Sequence, residues 1–403
     1  MLEALPLVFV LAGVALYTVL GGADLGAGFW QLADARDSDV REYAHKAMAP
    51  VWEANHVWLI FVLTVFWTAY PSAFGSIAST LAVPLFIALL GLVFRGAAYA
   101  LRAGAGTPRE TGRIDTLFSL SSILVPFALG AAVGGVATDR VPVGNAAGDL
   151  WSSWLNATSI FIGLLAVATS AYLAAVYLAA DAAHDRKHAL ERSFRLRALG
   201  SGVGAGALAV AGIFVVDAES HTLFHSLLSG RALAAVIVSG LAGIATLALV
   251  YRRRYEPARY GAALAVAAIT AGWALSRWPT ILPDLTVHQA AAGHDTLVCV
   301  VVAVLAGGVI LFPALVLLFR LTVASHFRIP ELAVRQGKAA RRTTNIRALA
   351  RFAVAFAIAG VGLLNIADAT WAHALGVACL ISFVVLAFGA IVVPMLDEQA
   401  AAQ

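Results

Sequence analysis

Charge is scarce in this sequence. Of 403 residues only 12% are Asp, Glu, Lys or Arg, against about 25% in an ordinary soluble domain. Hydrophobic residues make up 61% and the mean hydropathy is +0.86. So few polar groups cannot cover a water-facing surface, which argues against a soluble fold. Cysteine is nearly missing too. Cys299 and Cys379 both lie in apolar runs, so neither a disulfide framework nor a thiolate metal site is expected. Methionine occurs three times, as Met1, Met48 and Met395, and of ten histidines only His56 sits clearly inside an apolar run, with His373 at the edge of another. A haem held in a helical bundle usually needs two facing axial ligands, His with His or His with Met. No haem, other cofactor or metal is therefore expected on this chain. Walker loops, dinucleotide fingerprints, nucleophile elbows and HExxH motifs do not occur, and no catalytic residue is expected.

What is present is a series of apolar runs. A membrane span needs about 20 such residues. By that rule spans are expected near 5–30, 51–70, 79–101, 116–137, 154–180, 197–217, 230–250, 258–277, 295–321, 346–366 and 372–396. The expected class is an all-α polytopic membrane protein with about eleven transmembrane helices. The second and third spans are joined only by "PSAFGSIAS", and the last two by a few residues around Asp368. Lysine and arginine then orient the stack. The segments after spans 1, 3, 5, 7 and 9, with their helix ends, hold 24 of the 27 basic residues. By the positive-inside rule that side is cytoplasmic, with the N-terminus outside and the C-terminus inside. The pI near 9.2 thus reflects topology and membrane lipid, and no nucleic acid partner is expected.

Against this apolar background, two stretches carry ionisable groups. "GGADLGAGFW" places Asp24 about six residues before the end of the first span, roughly 9 Å at 1.5 Å per residue. "VWEANHVWLIF" places Glu53 three residues after Pro50, roughly 4.5 Å into the second span. Both carboxyls then lie at similar depth on the cytoplasmic half of one helical hairpin. Glu53 and His56 share a helix face at i,i+3 spacing, with Asn55 beside them. Intramembrane acids and histidines are costly and serve as proton relays; capping of a helix end is the plainer role. Glycines 21, 22, 26 and 28 around Asp24 permit close helix approach.

Three other segments have simpler readings. Residues 322–345, including "RQGKAARRTTN", read as a basic cytoplasmic linker facing acidic headgroups. His221 and His225, spaced i,i+4 in "DAESHTLFHSLLSG", suggest a short interfacial helix rather than half a metal site. The apolar outer loop "SRWPTILPDLTVHQAAAGHDTL" is expected to lie against the bundle or a partner.

Taken together, "GGADLGAGFW", "PVWEANHVWLIF", "LLGLVFRGAAYALR" and "GWALSRWPTILPDLTV" resemble, in order, segments of subunit II of the cytochrome bd-type quinol oxidases. The resemblance covers about residues 1–322. It implies two four-helix bundles plus a peripheral helix, followed here by a C-terminal helix pair over 346–403 beyond the linker 323–345. It implies pairing with a haem-bearing subunit I that holds two b-type haems, one d-type haem and the quinol-oxidising loop. Subunit II itself would hold no haem. It also implies a proton-uptake path through the acid of the family's Trp-Asp-Gly-Asn motif, here Glu53, with Trp52, Asn55 and Trp58 around it and Asp24 matching the first-helix acid. Ala23, Ala54, His56 and Ala100 depart from the family pattern, and His56 alters the local charge. The terminal helix pair could take the place of the small single-helix accessory subunits found elsewhere in such complexes.

The expected function is thus the non-haem subunit of a quinol:oxygen oxidoreductase in a bacterial or archaeal cell membrane. The alternative is an ion-coupled secondary membrane transporter, whose acids would instead cluster in broken midplane helices. The orientation makes a direct prediction. A fluorescent reporter that matures only in the cytoplasm, fused after residue 403, should fluoresce, and a periplasmic reporter at the same position should stay silent.

Overall fold

The computed structural model describes residues 2–33, 38–48, 52–102, 107–323, 343–366, 371–372, 374–383 and 386. Apolar length dictates helix, because a backbone in hydrocarbon must satisfy its own hydrogen bonds. Among the described residues eight helices are long and apolar enough to cross a membrane, and three shorter apolar ones cover Asn55–Ala69, Arg351–Gly360 and Ala374–Phe383. The chain is an all-α multi-pass membrane protein. Counting all three shorter helices as crossings, which yields eleven, is our proposal.

Two compact units make up the chain, Met1–Pro313 and Ala314–Gln403. In the first, α1 (Leu5–Leu16), a π-helical turn (Tyr17–Gly21) and α2 (Gly22–Ala33) form one span. The charged connection that follows contains α3 (Ser38–Met48), a polar helix that apolar patterning does not reveal. Helix α4 (Trp52–Ala69) comes next. The stretch "PSAFGSIAS", expected as a mere connection, is instead most of a helix, α5 (Pro71–Thr80). Pro71 starts it, because proline at the first helical position has its φ preset and no N–H to leave unpaired. The order continues with α6 (Ala82–Arg102), α7 (Pro108–Ala137), α8 (Ala157–His184), α9 (His188–Glu219), α10 (His221–Leu227), α11 (Gly230–Tyr251) and α12 (Tyr255–Arg277). A small hairpin of β1 (Thr280–Leu282) and β2 (Leu285–Thr286), then α13 (Val287–Ala290), lead into α14 (His294–Val323), within which the unit boundary falls.

Side-chain caps mark the starts of several helices. Thr107 and Glu110 form a capping box at α7, each side chain bonding the other's backbone N–H, and Asn156 accepts from Ser159 N at the start of α8. Such caps satisfy orphan amides that would otherwise cost about 1 kcal/mol each. The short helix expected around His221 is present as α10, and His221 Nδ1 lies 3.0 Å from Asp217 Oδ1. The apolar loop after α12 does pack against the bundle. Leu282, Leu285, Val287 and Ala290 are buried, and Ala292 N donates to the Ala69 carbonyl at 2.8 Å.

Helix α8 is the packing centre. Its stretch Ala171–Val176 is buried on every side, as an all-apolar helix at a bundle core should be. Helix α2 lies hard against it. A Cβ on Gly26 would stand 1.9 Å from the Ser170 carbonyl oxygen, and one on Gly28 would stand 2.2 Å from Ser122 Oγ on α7. Trp30 Nε1 donates to the Ala171 carbonyl at 2.9 Å and holds the same contact from the side. Ion pairs tie the helix ends. Arg140 meets Glu219 at 2.6 Å and Arg277 meets Asp139 at 2.6 Å at one end. At the other, Arg102 bonds Asp115 at 2.7 Å and Glu42 at 3.1 Å, fastening α3 to α6 and α7.

In the second unit α15 (Thr343–Ile366) packs on the helical stretch Ala374–Phe383. A Cβ on Gly360 would stand 2.9 Å from the Gly376 carbonyl oxygen and 2.8 Å from Leu380 Cγ. Ala353, Ala372 and Cys379 are buried while Ile358 and Trp371 are exposed. Of the expected linker, residues 324–342 lie outside the described residues, as does the last part of the expected final helix.

The tight α2–α8 contact predicts that Gly26→Val lowers folded yield and melting temperature in detergent. Overpacking typically costs about 1–3 kcal/mol, and backbone cannot yield as a side chain can. Gly112→Ala, where a Cβ meets nothing within 4 Å, should leave both unchanged.

Candidate functional site

The "GGADLGAG" glycines bring α2 close enough to its neighbours to bury Asp24, which is 2% exposed. The residue that meets it is Arg95 on α6, 1% exposed. Arg95 Nη2 donates to Asp24 Oδ1 at 2.5 Å and to the Asp24 carbonyl at 3.3 Å. Its Nη1 donates to Ser122 Oγ on α7 at 3.0 Å, and Ser122 Oγ in turn donates to the Phe118 carbonyl at 2.7 Å. The guanidinium also lies over the Phe118 ring, 4.5 Å from its centroid. Sequence reading groups Arg95 with the basic residues near a helix end. The structure corrects that: Arg95 is an interior charge seven residues from the end of α6, and removing it from the count leaves the charge asymmetry intact.

Two charges in a low-dielectric interior are tolerated only when paired and hydrogen-bonded. Here one guanidinium serves three acceptors on two other helices, so the pair fixes the spacing of α2, α6 and α7 together. Two polar atoms beside it have no hydrogen-bond partner among the described residues: Arg95 Nε and the buried Tyr17 hydroxyl. Tyr17 belongs to the π turn and lies within electrostatic reach of both Arg95 and Asp24. Single π turns inside α-helices are rare and concentrate at functional sites.

Helix α4 reaches this centre through the "WEANH" stretch. Asn55 is 1% exposed and its Nδ2 donates to the Leu20 carbonyl, within the π turn, at 3.1 Å. His56 is half-buried and within electrostatic reach of Asp24. The structure therefore brings Asp24, Asn55 and His56 together. Glu53 begins the same helix two residues before Asn55, but the side chains of Glu53 and Trp52 lie outside the described residues. Trp58 is half-buried, edge-on to Phe61 with ring centroids 6.3 Å apart.

A second layer joins the centre to α3. The His45 ring packs on Tyr99 and Phe118 at centroid separations of 5.8 and 6.0 Å, so Phe118 contacts both His45 and Arg95. Burial, reinforced by the nearby positive charge of Arg102, pushes the His45 imidazole below its ordinary range. Nearby, Tyr43 donates to Asp185 Oδ2 at 3.0 Å, and burial together with that carboxylate pushes its phenol up.

Arg95, Tyr17 and Ser122 are the members that sequence reasoning missed. A signal for Arg95 was available. Seven residues from a helix end is roughly 10 Å, a depth similar to that expected for Asp24. Opposite charges at matching depth on neighbouring spans are candidates for a pair.

A multi-pass helical protein with a buried acid–arginine centre against a Trp-acid-x-Asn helix start has known relatives. Residues 2–322 match the family described as cytochrome bd terminal oxidase subunit II. The chain belongs to that family. It is 27% identical over 130 residues to "Cytochrome bd-I ubiquinol oxidase subunit 2" of Escherichia coli K12, covering 32% of this chain and 34% of that relative. It is 23% identical over 252 residues to "Putative cytochrome bd menaquinol oxidase subunit II" of Bacillus subtilis, covering 60% of this chain and 71% of that one. The match to the Escherichia coli protein thus spans about a third of its length. A chain of the bd oxidase from Geobacillus thermodenitrificans shares the fold, with a TM-score of 0.65 and 24% identity over 80% of this chain and 99% of that chain.

The ion pair predicts a specific pattern of losses. Arg95→Leu strands a buried carboxylate and should cost about 3–5 kcal/mol, read as a large drop in melting temperature of the purified protein. Adding Asp24→Asn should restore part of that loss, whereas independent sites would show additive damage.

Proposed function

We propose that this chain is the non-haem subunit II of a bd-type quinol:oxygen oxidoreductase in a cell membrane. Membership of the subunit II family over residues 2–322 carries this reading. In it, quinol oxidation and oxygen reduction take place in a haem-bearing partner, subunit I, with haems of b and d type. This chain supports that partner and supplies protons from the cytoplasmic side. Eleven crossings, an outer N-terminus and a cytoplasmic C-terminus belong to the same proposal. Family membership also weighs against the transporter alternative.

For the proton path we infer that Glu53 is the entrance, and that Asn55, His56 and Asp24 follow it inward. The supporting observation is the Asn55–Leu20 hydrogen bond, which couples the Glu53 helix to the π turn preceding Asp24. Arg95 holds the Asp24 carboxylate in one orientation. That makes Asp24 a fixed reference charge for a proton arriving on His56, which lies within its electrostatic reach. Proton movement along such a path relies on groups within hydrogen-bond reach or joined by a single water.

Purification from native membranes should yield a haem-bearing chain together with this one, with haem spectra and quinol-dependent oxygen consumption. A lone colourless chain would defeat the oxidase reading. Within an active complex, Glu53→Gln should slow oxygen consumption several-fold while haem content and assembly stay intact. Unchanged turnover would reduce Glu53 to a structural residue.

A further inference from the structure

A cleft of about 350 Å³ opens where the start of α9 meets the turn between α11 and α12. Its lining is His188, Ala189, Glu191, Arg192, Arg195 and Arg253. We propose that it binds the phosphate of an anionic phospholipid, and that the site is independent of the buried centre described above.

The charge balance of the cleft is decisive. Glu191 is its one carboxylate, and both of its oxygens are already engaged. Oε1 accepts from the Tyr255 hydroxyl at 2.8 Å, and Oε2 lies 3.4 Å from His188 Nδ1. Arg195 spends its donors on backbone, Nε on the Val250 carbonyl at 3.2 Å and Nη2 on the Tyr251 carbonyl at 2.6 Å. Those bonds fasten the guanidinium in place and leave its charge without a carboxylate counterpart. Arg192 and Arg253 are exposed, and among the described residues neither has a carboxylate within ion-pair distance, although Arg253 lies within electrostatic reach of Glu191. Three guanidiniums against one engaged carboxylate leave a net charge of about +2, with His188 counted as neutral.

Backbone conformation presents one of these charges. Arg253 has φ +58°, and Arg253 N and Arg254 N donate back to the Val250 and Leu249 carbonyls, closing the end of α11. This turn brings Arg253 to the cleft rather than letting it continue the helix. Arginine is the residue best suited to phosphate, since its planar fork donates two parallel bonds.

Position identifies the phosphate as a lipid's. α9, α11 and α12 are each long and apolar enough to cross a membrane, so the cleft, lying at their ends, sits at headgroup level. Below it on α9 runs an exposed apolar row, Leu196 at 61%, Val203 at 62% and Val210 at 57%. Leu196 is one turn from Arg192, at i,i+4 on the same face. A headgroup held by Arg192 and Arg253 would therefore have acyl chains lying along α9. A free phosphate would use the charges but not the row.

The test uses the whole complex as purified, placed in nanodiscs of phosphatidylcholine alone or of phosphatidylcholine with phosphatidylglycerol. Melting temperature is read, and retained lipid is weighed by native mass spectrometry. Phosphatidylglycerol should raise the melting temperature and be retained through washing. Arg192→Gln with Arg253→Gln should weaken retention about 25- to 30-fold, at a factor of about five per basic residue. Arg186→Gln, an exposed arginine outside the cleft lining, should leave retention unchanged and so separates the site from general surface charge. Equal retention in the double variant, or equal loss in Arg186→Gln, would overturn the proposal. So would equal stabilisation of detergent-solubilised complex by inorganic phosphate, which would make the occupant a soluble anion.

Discussion

Arg95 and Asp24 carry opposite charges into a part of the bundle where neither could stay alone. An unpaired ion at such a depth costs several kcal/mol, so the helices bearing the two must remain within hydrogen-bond distance. Arg95 extends the constraint by bonding Ser122 and lying on Phe118, which brings in α7. The glycines of α2 permit the approach, since side chains at Gly26 and Gly28 would collide with α8 and α7. Asn55 then attaches α4 to the π turn beside the pair. Four helices are thereby positioned around one electrostatic contact, and the candidate proton groups inherit their geometry from it.

Among the described residues, three groups of ion pairs organise the spans. One pair lies in the interior. A collar at one end of the spans joins connections to helix ends through Arg140, Glu219, Arg277 and Asp139. A collar at the other end does the same through Arg102, Asp115 and Glu42. Most charges in the collars have partners within the fold. The cleft at the start of α9 differs in having positive charges left over, and this is what sets it apart as a place for an anionic ligand. Its lining shares no residue with the buried centre, so the two sites can be altered separately.

Family membership covers residues 2–322, and the second compact unit begins at Ala314. Most of that unit therefore lies beyond the matched region. Its helices pack through Gly360 against Gly376, the small-residue contact that lets apolar helices associate in lipid, where burial of apolar surface gives no advantage. This pair is built on the same principle as α2 and α8, with a glycine removing the obstacle to close backbone approach.

The class of this protein was readable before any coordinates. Transfer of apolar residues into hydrocarbon depends on composition over about 20 positions, so the long spans, and the burial of the apolar loop after α12, appear in the sequence. Asp24, Asn55 and His56 were visible for a related reason: polar groups stand out against an apolar run. Polar α3 and short α5 were not legible, because their helicity comes from contacts with other helices rather than from a span-length apolar pattern. Arg95 was seen but assigned to a helix end, since a one-dimensional charge count cannot distinguish an arginine at the interface from one facing an acid on another helix. Pairing is decided by which helix faces turn toward each other and how close glycine lets them come. Only the folded chain specifies that, and so the sequence determined a membrane bundle with polar groups in it, while tertiary structure decided which of them meet.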